Sequence, residues 1–148
     1  MANNPQTNLG TLNRLRASIQ FATLPALNVT ASFLGREGIS IAFEGTATTT
    51  IGAMVGTVQS PEPYQMARVM AHLLKTQTLA TVYKAQFESN TLVGDALIRV
   101  DALGFPTYQI YNCALQEVRE LDLSGRDAGY VVSFTGTYQT NSSLFDLV

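Results

Sequence analysis

Only a few side chains in this sequence belong to types that support acid–base, nucleophilic or metal chemistry. His72 is the single histidine, and it lies between Arg68 and Lys75. A catalytic base needs a pKa tuned by burial and by specific neighbours, whereas a histidine beside two cations is typical of a solvated surface. We therefore predict that His72 is a surface residue.

Cys113 is the only cysteine. A single cysteine excludes an intrachain disulfide framework and any zinc cluster built from cysteines. Cys113 shares its parity with Leu115 in an alternating segment, which favours a buried structural thiol over a nucleophile. We predict that it packs in the core.

Carboxylates are grouped near the C-terminal third of the chain. Glu117, Glu120 and Asp122 are interrupted by Arg119, which favours the solvated edge of a strand over paired catalytic acids. Residues 122–129 lack the oxygen-ligand spacing of an EF-hand, and a hairpin turn accounts for them. The sequence contains no HExxH, GxSxG or phosphate-binding glycine motif. We predict that the protein is not an enzyme and needs no metal or cofactor.

The composition points to interfaces instead. The chain has 148 residues, enough for one domain, and only 14% of them are charged, against about 25% in typical domains. Much of the surface must therefore be uncharged and polar, and such groups are easier to desolvate than ions. A net charge of −2 argues against a basic surface that grips nucleic acid.

Targeting signals are absent from the sequence. No segment approaches the roughly 18 apolar residues of a membrane-spanning helix. Residues 1–16 have no apolar run after a basic start, which predicts no signal peptide. We therefore predict no membrane anchor and no classical export.

The first third of the chain has the patterns of strands. Residues 1–11 are rich in Asn, Pro, Thr and Gly and predict a flexible N-terminal arm. Period-two alternation over 15–21 and again over 27–33 predicts two strands. Residues 35–38, Gly-Arg-Glu-Gly, predict a turn.

The segment 39–51 alternates throughout and predicts one long strand. Ile39, Ile41 and Phe43 begin its apolar parity. The other parity is polar and almost uncharged: Ser40, Ala42, Glu44, Thr46, Thr48 and Thr50. This second face is either a solvated sheet surface or a wall that lines a wet passage.

Residues 57–75 predict an amphipathic helix. Ser60 suits the N-cap and Pro61 the first turn. The apolar residues recur at helical spacing: Met66, Val69, Met70, Leu73 and Leu74. The helix continues or restarts over 79–87, where a strand is the alternative.

The remaining segments predict strands and an apolar tail. Strands are predicted over 96–101, over 107–123 with a bulge where the apolar parity changes, and over 129–140 after a turn at 124–127. The fold class is α+β, mainly β: a small antiparallel sandwich or barrel with one amphipathic helix region. We predict a domain over 12–140, followed by an interaction tail over 141–148.

The order of these segments resembles the tail tube proteins of contractile bacteriophage tails, which are related to secretion-system and pyocin tubes. The resemblance covers about residues 12–140. It rests on the paired N-terminal strands, ISIAFEG at 39–45, GTVQSPEPYQMARVMAHLLK at 56–75 and GRDAGYVVSFTGTYQTN at 125–141.

The resemblance implies six-membered rings in which the sheets of neighbouring subunits join around a hollow channel. It further implies that rings stack and that a hairpin loop and the terminal segments reach the adjacent ring. The channel-facing residues would be Ser40, Glu44, Thr46, Thr48 and Thr50. Contacts between subunits or rings would be made by Arg36, Glu37, Leu144, Phe145, Leu147 and Val148. A solvated turn at 35–38 and a tail folded on its own core remain the alternatives.

The implied function is that of a structural virion protein, the inner tail tube through which DNA is ejected. Its partners would be further copies of itself, the tail sheath, tape-measure and baseplate proteins, and genomic DNA passing without specific binding. It would be made in the host bacterial cytoplasm and reside in the virion tail. The alternatives are a tube or terminator component of a related secretion or tail-like apparatus, and a small-molecule-binding β-barrel carrier. The carrier needs an apolar cavity, whereas the large apolar residues are expected to be used in packing against the helix.

Overall fold

The computed structural model describes residues 7, 9–10, 15–102 and 104–145. Its strands are β1 Ala17–Phe21, β2 Leu34–Glu44, β3 Thr48–Gly52, β4 Thr57–Pro61, β5 Tyr64–Leu74, β6 Leu92–Val100, β7 Tyr108–Arg119 and β8 Gly129–Gln139. The helices are α1 Leu79–Ser89 and the four-residue α2 Ser142–Phe145, and 3₁₀ turns lie at Pro25–Leu27 and Ala31–Phe33.

Six strands form one antiparallel sheet in the order β1-β6-β7-β8-β5-β2, and β3 and β4 form a separate two-stranded sheet. The larger sheet is curled into a half-barrel. The fold is α+β and mainly β, so the predicted class is confirmed.

The core lies on one face of the curled sheet. Phe21 of β1 and Phe134 of β8 meet there with ring centroids 5.4 Å apart. Val69, Ile98 and Ile110 are buried beside them. Burial of these side chains is the main favourable term in the stability of such a fold.

Helix α1 covers this core. Leu79 and Tyr83, four residues apart on one helical face, are its buried residues. The Tyr83 hydroxyl donates to the Leu27 carbonyl oxygen at 2.9 Å, which fixes the helix against the first 3₁₀ turn. The helix predicted over 79–87 is therefore confirmed, and the strand alternative is wrong. Among the residues described, no helix is long and apolar enough to cross a membrane.

The helix predicted within 57–75 is wrong. This segment forms β4 and β5, and Ser60 pairs with Thr49 instead of capping a helix. In β5 the buried residues are Ala67, Val69, Ala71 and Leu73, a strict period of two. The strand lies between β2 and β8 and pairs with both, so tertiary pairing overrides the helical spacing of the larger apolar residues.

The strand predicted over 27–33 is also wrong. The two 3₁₀ turns occupy most of this segment, and only Val29 forms a bridge, to Ile19. The Phe21 amide donates to the side-chain oxygen of Asn28 at 2.8 Å, so a side chain replaces part of the backbone ladder.

Two predictions within residues 35–51, the turn over 35–38 and the single strand over 39–51, are wrong. Residues 35–38 lie inside β2 as an irregularity, because pairing with β5 jumps from Leu34 to Ile39. The single long strand is broken at Gly45, whose φ of 82° leaves the extended region. The polar row from Ser40 to Thr50 is therefore divided between two sheets.

The predicted bulge is confirmed in β7. Its register against β8 shifts between Tyr111 and Ala114, and Asn112 adopts a φ of 53°. The Asn112 amide donates to a carboxylate oxygen of Asp95 at 3.1 Å, which holds the bulged residue in place. The phase change brings Cys113 to the core face.

Candidate assembly surfaces

The candidate chemical residues occupy structural positions. His72 lies in β5 opposite Val131, so it faces away from the core, and it is partly buried. Cys113 is buried, as predicted, and its thiol lies 3.6 Å from the Ile110 carbonyl oxygen. Burial, and to a lesser extent the charge of Asp95, raises the pKa of the Cys113 thiol to about 12, which keeps it protonated at neutral pH.

Residues 122–129 form the predicted turn. Asp122 accepts a hydrogen bond from the Ser124 amide at 2.9 Å, and Asp127 accepts one from the Gly129 amide at 3.1 Å. Hydrogen bonds from Ser124 lower the pKa of the Asp122 carboxyl. Within the described ranges, no group of three or more His, Cys, Asp or Glu residues could hold a metal ion.

The sheet has a second face, opposite the core, along β2, β5, β8 and β7, and we call it the open face. A charged row crosses it. The Arg68 guanidinium lies 3.4 Å from a Glu44 carboxylate oxygen and 3.9 Å from one of Glu117. The Arg119 guanidinium lies 2.5 Å from a Glu117 carboxylate oxygen. Two carboxylates and two guanidinium groups thus neutralise one another across the sheet.

Two hydroxyls on the open face are buried and lack a hydrogen-bond partner in the part of the chain described. They belong to Ser40 in β2 and Ser133 in β8. Met70 lies between them in the register, opposite both residues. A buried hydroxyl without a hydrogen-bond partner is costly. These two hydroxyls therefore indicate that water or another protein surface covers this row of residues.

The four strands of the open face have two unpaired edges. β2 is an edge strand of eleven residues. At the other side, β6 pairs with β7 only as far as Ala114, and the Leu115 amide bonds to the Thr91 carbonyl. Beyond Leu115, β8 is the only strand among the described residues that pairs with β7. Unpaired edges of this kind are templates for pairing with another chain.

β3 and β4 form a projecting hairpin, residues 48–61. Its two strands pair only with each other, and every residue from 42 to 59 is exposed. One face is polar, with the Thr50 hydroxyl donating to Gln59 at 2.7 Å. The other carries the exposed cross-strand pair Ile51 and Val58. An isolated two-stranded hairpin is marginal in water, so this one is suited to a partner.

The base of the projecting hairpin is clamped to the end of β8. The Asn141 side-chain amide donates to the carbonyl oxygens of Ala47 at 3.0 Å and Glu62 at 2.7 Å. The Thr140 hydroxyl donates to the same Glu62 oxygen at 2.7 Å. Asn141 has a φ of 53°, a conformation that asparagine tolerates better than most residues.

We predict that Asn141→Asp loosens the hairpin base. The change removes both amide donors and places a carboxylate against two carbonyl oxygens, and each lost hydrogen bond is worth about 0.5–1.5 kcal/mol. Amide hydrogen exchange over residues 48–61 should accelerate by roughly tenfold. The control is Gln139→Glu, the same chemical change at an exposed site in β8. Equal rates of amide hydrogen exchange over residues 48–61 in the two variants would contradict the role of Asn141 in holding the hairpin base.

The C-terminal tail does not fold back on the core as far as it is described. Leu144 is 66% exposed and Phe145 44% exposed in α2. Leu147 and Val148, predicted as inter-subunit residues, lie outside the described residues. The apolar surface expected of this tail is therefore available at Leu144 and Phe145.

The predicted channel residues do not form one row. Ser40 and Glu44 lie on the open face, whereas Thr48 and Thr50 lie on the polar side of the projecting hairpin, with Thr46 in the link between. Whether they line a channel stays a prediction.

Sequence reasoning missed Arg68 and Asn141, because cross-strand pairing and the clamp join residues distant in the chain.

An apolar groove of about 830 Å³ runs along the gap of the half-barrel, between β2 and the β1–β6 side. Its apolar lining includes Leu15, Ala17, Leu34, Ile39, Ile41, Phe43, Ile98, Val100, Phe105 and Tyr108. Arg36 and Glu37, predicted at an inter-ring turn, lie at its edge. Several of these residues are packed against the core as expected, among them Leu34, Ile39 and Ile41, and they also border the groove.

Two solved structures resemble this chain at low sequence identity. No family model matches the chain, and no curated protein does. The cap that terminates the tube of the anti-feeding prophage is similar at a TM-score of 0.48 and 10% identity, over 93% of this chain and 97% of that one. A chain of the sheath–tube complex of an extracellular contractile injection system, PVC, is similar at 0.48 and 14% identity, over 86% and 85%. Likeness at this level carries no argument about function.

Proposed function

We propose that this protein is a structural subunit without catalytic activity, which joins copies of itself into rings stacked as the inner tube of a contractile tail. The observation that carries the proposal is the pair of unpaired edges, β2 and the end of β7, which bound the same four strands. Each copy offers one edge of each kind. Joining β2 of one copy to β7 of the next is a head-to-tail contact, which closes into a ring when the rotation permits.

The open face supports a channel lining in such a ring. Joined edges would make one continuous sheet, with the core and α1 on the outside and Ser40, Glu44 and Arg68 toward the lumen. Ser40 and Ser133 would then have channel water as a partner for their hydroxyls. The arginines are paired with carboxylates, so they offer little free charge to phosphates. Genomic DNA would pass without specific binding.

Partners of the tube follow from the same proposal. The outer surface would meet a tail sheath, the lumen a tape-measure protein, and the first ring a baseplate. The particle would be a virion tail assembled in the host bacterial cytoplasm. A tube component of a related secretion apparatus would form the same stacked rings, whereas a terminator would form a single ring.

Negative-stain electron microscopy over a concentration series tests the proposal. We expect hollow rings at low concentration and stacked tubes at high concentration, because ring closure and stacking are both mass-action steps. A monomer at every concentration up to the solubility limit would contradict self-assembly. Single rings that never stack would favour the terminator.

We predict that Val118→Lys blocks ring formation in a folded subunit. Val118 lies on the unpaired end of β7, shares the face of Val132 and is 37% exposed. A charge that points inward at a strand edge prevents edge pairing. The concentration for ring formation should rise at least tenfold, which corresponds to about 1.4 kcal/mol per interface.

The control for this variant is Val118→Thr, which keeps a β-branched side chain without a charge. It should form rings near the concentration of the unsubstituted chain. Sedimentation velocity measures assembly, and thermal unfolding checks the fold. If the Val118→Lys variant forms rings at the same protein concentration as the unsubstituted chain, edge pairing through β7 is contradicted.

A small-molecule carrier is a second candidate, which the apolar groove favours. Its volume of about 830 Å³ lies within the range of ligand pockets, roughly 300–1,000 Å³. A carrier would remain a monomer and its melting temperature would rise with an apolar ligand. Ring formation without such a rise would exclude this candidate.

A further inference from the structure

We propose that β2 of one copy pairs with the free end of β7 of the next copy in a single register, with Ile41 opposite Val118. In this register Arg119 of the next copy donates a hydrogen bond to the Ser40 hydroxyl. The inference rests on the proposed function, because it names the residues that meet at the joint between copies. The direction, the length, the faces and the charges of the two edges select this register.

The direction of the joint follows from the sheet. Neighbouring strands in the order β7-β8-β5-β2 are all antiparallel. Three antiparallel steps separate β7 from β2, so the two edges of one copy run in opposite directions. A rotation about a ring axis keeps the direction of every strand relative to that axis. β2 of one copy therefore meets β7 of the next copy in antiparallel orientation.

The edge of β2 is regular over six residues, Ile39 to Glu44. Gly38 bounds this segment on one side and Gly45 on the other, and their φ angles of 70° and 82° leave the extended region. A strand can be added to β2 only between these two glycines.

The free end of β7 is regular over three residues, Glu117 to Arg119. Before it, the register against β8 shifts between Leu115 and Glu117. After it, Glu120 has a φ of 57° and ends the extended backbone. Three residues of β7 must therefore find their partners among six residues of β2.

Matching of faces leaves three registers. Val118 pairs with the buried Val132, so it lies on the core side of the sheet. The core-side residues of β2 pair with buried residues of β5, and they are Ile39, Ile41 and Phe43. A shift by one residue would turn every side chain of β7 to the wrong face. Val118 therefore pairs with one of these three residues.

The register with Ile39 opposite Val118 runs into the irregular start of β2. It places Arg119 opposite Gly38, where the backbone has left the strand. Leu34 and Ile39 pair with Leu73 and Ala71, five positions against two, so β2 carries three extra residues there. Bulges of this kind at a sheet edge prevent pairing with another chain.

The register with Phe43 opposite Val118 brings like charges together. It places Glu44 directly opposite Glu117 of the next copy. The Cβ atoms of directly opposite residues lie about 4.5–5.5 Å apart, and like charges in such a pair are destabilising. Arg68 already lies between these two carboxylates within each copy, at 3.4 Å and 3.9 Å, so it gives no additional cation for the joint.

The register with Ile41 opposite Val118 avoids both conflicts and joins two β-branched side chains. Arg119 falls opposite Ser40, whose hydroxyl is buried and has no hydrogen-bond partner among the described residues. The Arg119 side chain is 51% exposed, and a guanidinium has five N–H donors, so it can donate to Ser40 and keep its ion pair with Glu117. The hydroxyl still has its own proton to donate to channel water.

Disulfide trapping tests the register on the full-length chain. A Val118→Cys preparation is mixed with an Ile41→Cys preparation of different tag mass, at a protein concentration that gives rings. Ile39→Cys and Phe43→Cys are the matched controls, because they lie on the same face of the same strand and differ only in register. Cys113 is buried in every preparation.

We expect the mixed disulfide with position 41 to form at least tenfold faster than those with positions 39 and 43. Equal rates at the three positions would overturn the register, and so would a faster disulfide at position 39 or 43. A 41–41 disulfide that forms as fast in the Ile41→Cys preparation alone would show β2 paired with β2, which also overturns it.

The charge of the position opposite Glu117 gives an independent test. Ala42 is exposed and falls opposite Glu117 in the proposed register, so Ala42→Asp should raise the concentration for ring formation at least threefold. Arg68 pairs with Ala42 within the same copy and offsets part of the repulsion. The control is Ala42→Asn, which has nearly the same shape without the charge and should assemble like the unsubstituted chain.

The sign of this effect separates the registers. With Phe43 opposite Val118, position 42 would face Arg119, and Ala42→Asp would lower the concentration for ring formation. A lower or an unchanged concentration for Ala42→Asp, in a variant whose thermal unfolding matches that of Ala42→Asn, would overturn the inference.

The register and the tube function fail in different ways. Rings and tubes whose fastest disulfide does not join positions 41 and 118 would overturn the register and leave the tube function standing. A fast 41–118 disulfide in a protein that forms no closed rings would overturn the tube function and support the register.

Discussion

Gly136→Ala is expected to lower the free energy of unfolding by about 1–3 kcal/mol, the cost of overpacking a filled core. Gly136 lies in β8 where the bulge of β7 crosses it. A Cβ there would lie 2.5 Å from the Ile110 Cγ2, 2.9 Å from the Cys113 thiol and 2.9 Å from the Tyr111 carbonyl oxygen. Real Cβ atoms do not approach neighbours this closely, so backbone on both strands must shift.

Thermal unfolding measures this effect. For a chain of this size the expected loss corresponds to a melting temperature lower by roughly 2–12 °C. The control is Gly129→Ala in the same strand, where the nearest atom to an added Cβ is 3.5 Å away and the change should be close to neutral. Equal melting temperatures for the two variants would contradict the tight crossing. The crossing lies next to Ala114, the last residue of β7 that pairs with β6.

Part of this architecture is predictable from the sequence because it depends on local alternation. β1 and β8 alternate in sequence, and β8 places Tyr130, Val132 and Phe134 in the core as the alternation predicts, although Val131 and Ser133 on the opposite face are buried as well. The bulge in β7 is visible as a phase change before Cys113. These segments have one consistent pattern, so tertiary context had nothing to override.

β5 shows where local pattern fails. Its large apolar residues fit a helix, and its small core residues Ala67 and Ala71 fit a strand, so the two periods compete. Only the pairing with β2 and β8 decides between them. Pro61 and Pro63 were the available signal: two prolines so close together favour the end of a strand over continuous helix.

The assembly surfaces are less predictable than the elements. The apolar groove joins segments near residues 15, 34–43 and 98–108, which no local pattern connects. The Asn141 clamp depends on backbone oxygens 79 and 94 positions away in the chain, and side-chain-to-backbone bonds leave no periodic trace. The break at Gly45 had a local sign, since a glycine in a strand pattern often marks a bend.

Ending the chain after Ser143 is expected to shorten tubes without unfolding the subunit. The truncation removes Leu144 and Phe145, which are mostly exposed in the isolated chain, together with the apolar residues that follow them. Burying one such side chain contributes about 1.5–3 kcal/mol, and 1.4 kcal/mol already changes an association constant tenfold. We therefore expect stacking to need at least tenfold more protein, while the melting temperature stays within about 2 °C.

The structure separates this tail from the clamp that precedes it. Thr140 and Asn141 hold the hairpin base, so ending the chain after Gln139 should also accelerate hydrogen exchange over 48–61, whereas ending it after Ser143 should not. Leu144→Ser with Phe145→Ser keeps the full length and should reproduce the stacking defect if the apolar surface is the cause. Electron microscopy gives tube lengths for all three variants. Tubes of normal length from the chain that ends after Ser143 would contradict a role of the tail in stacking.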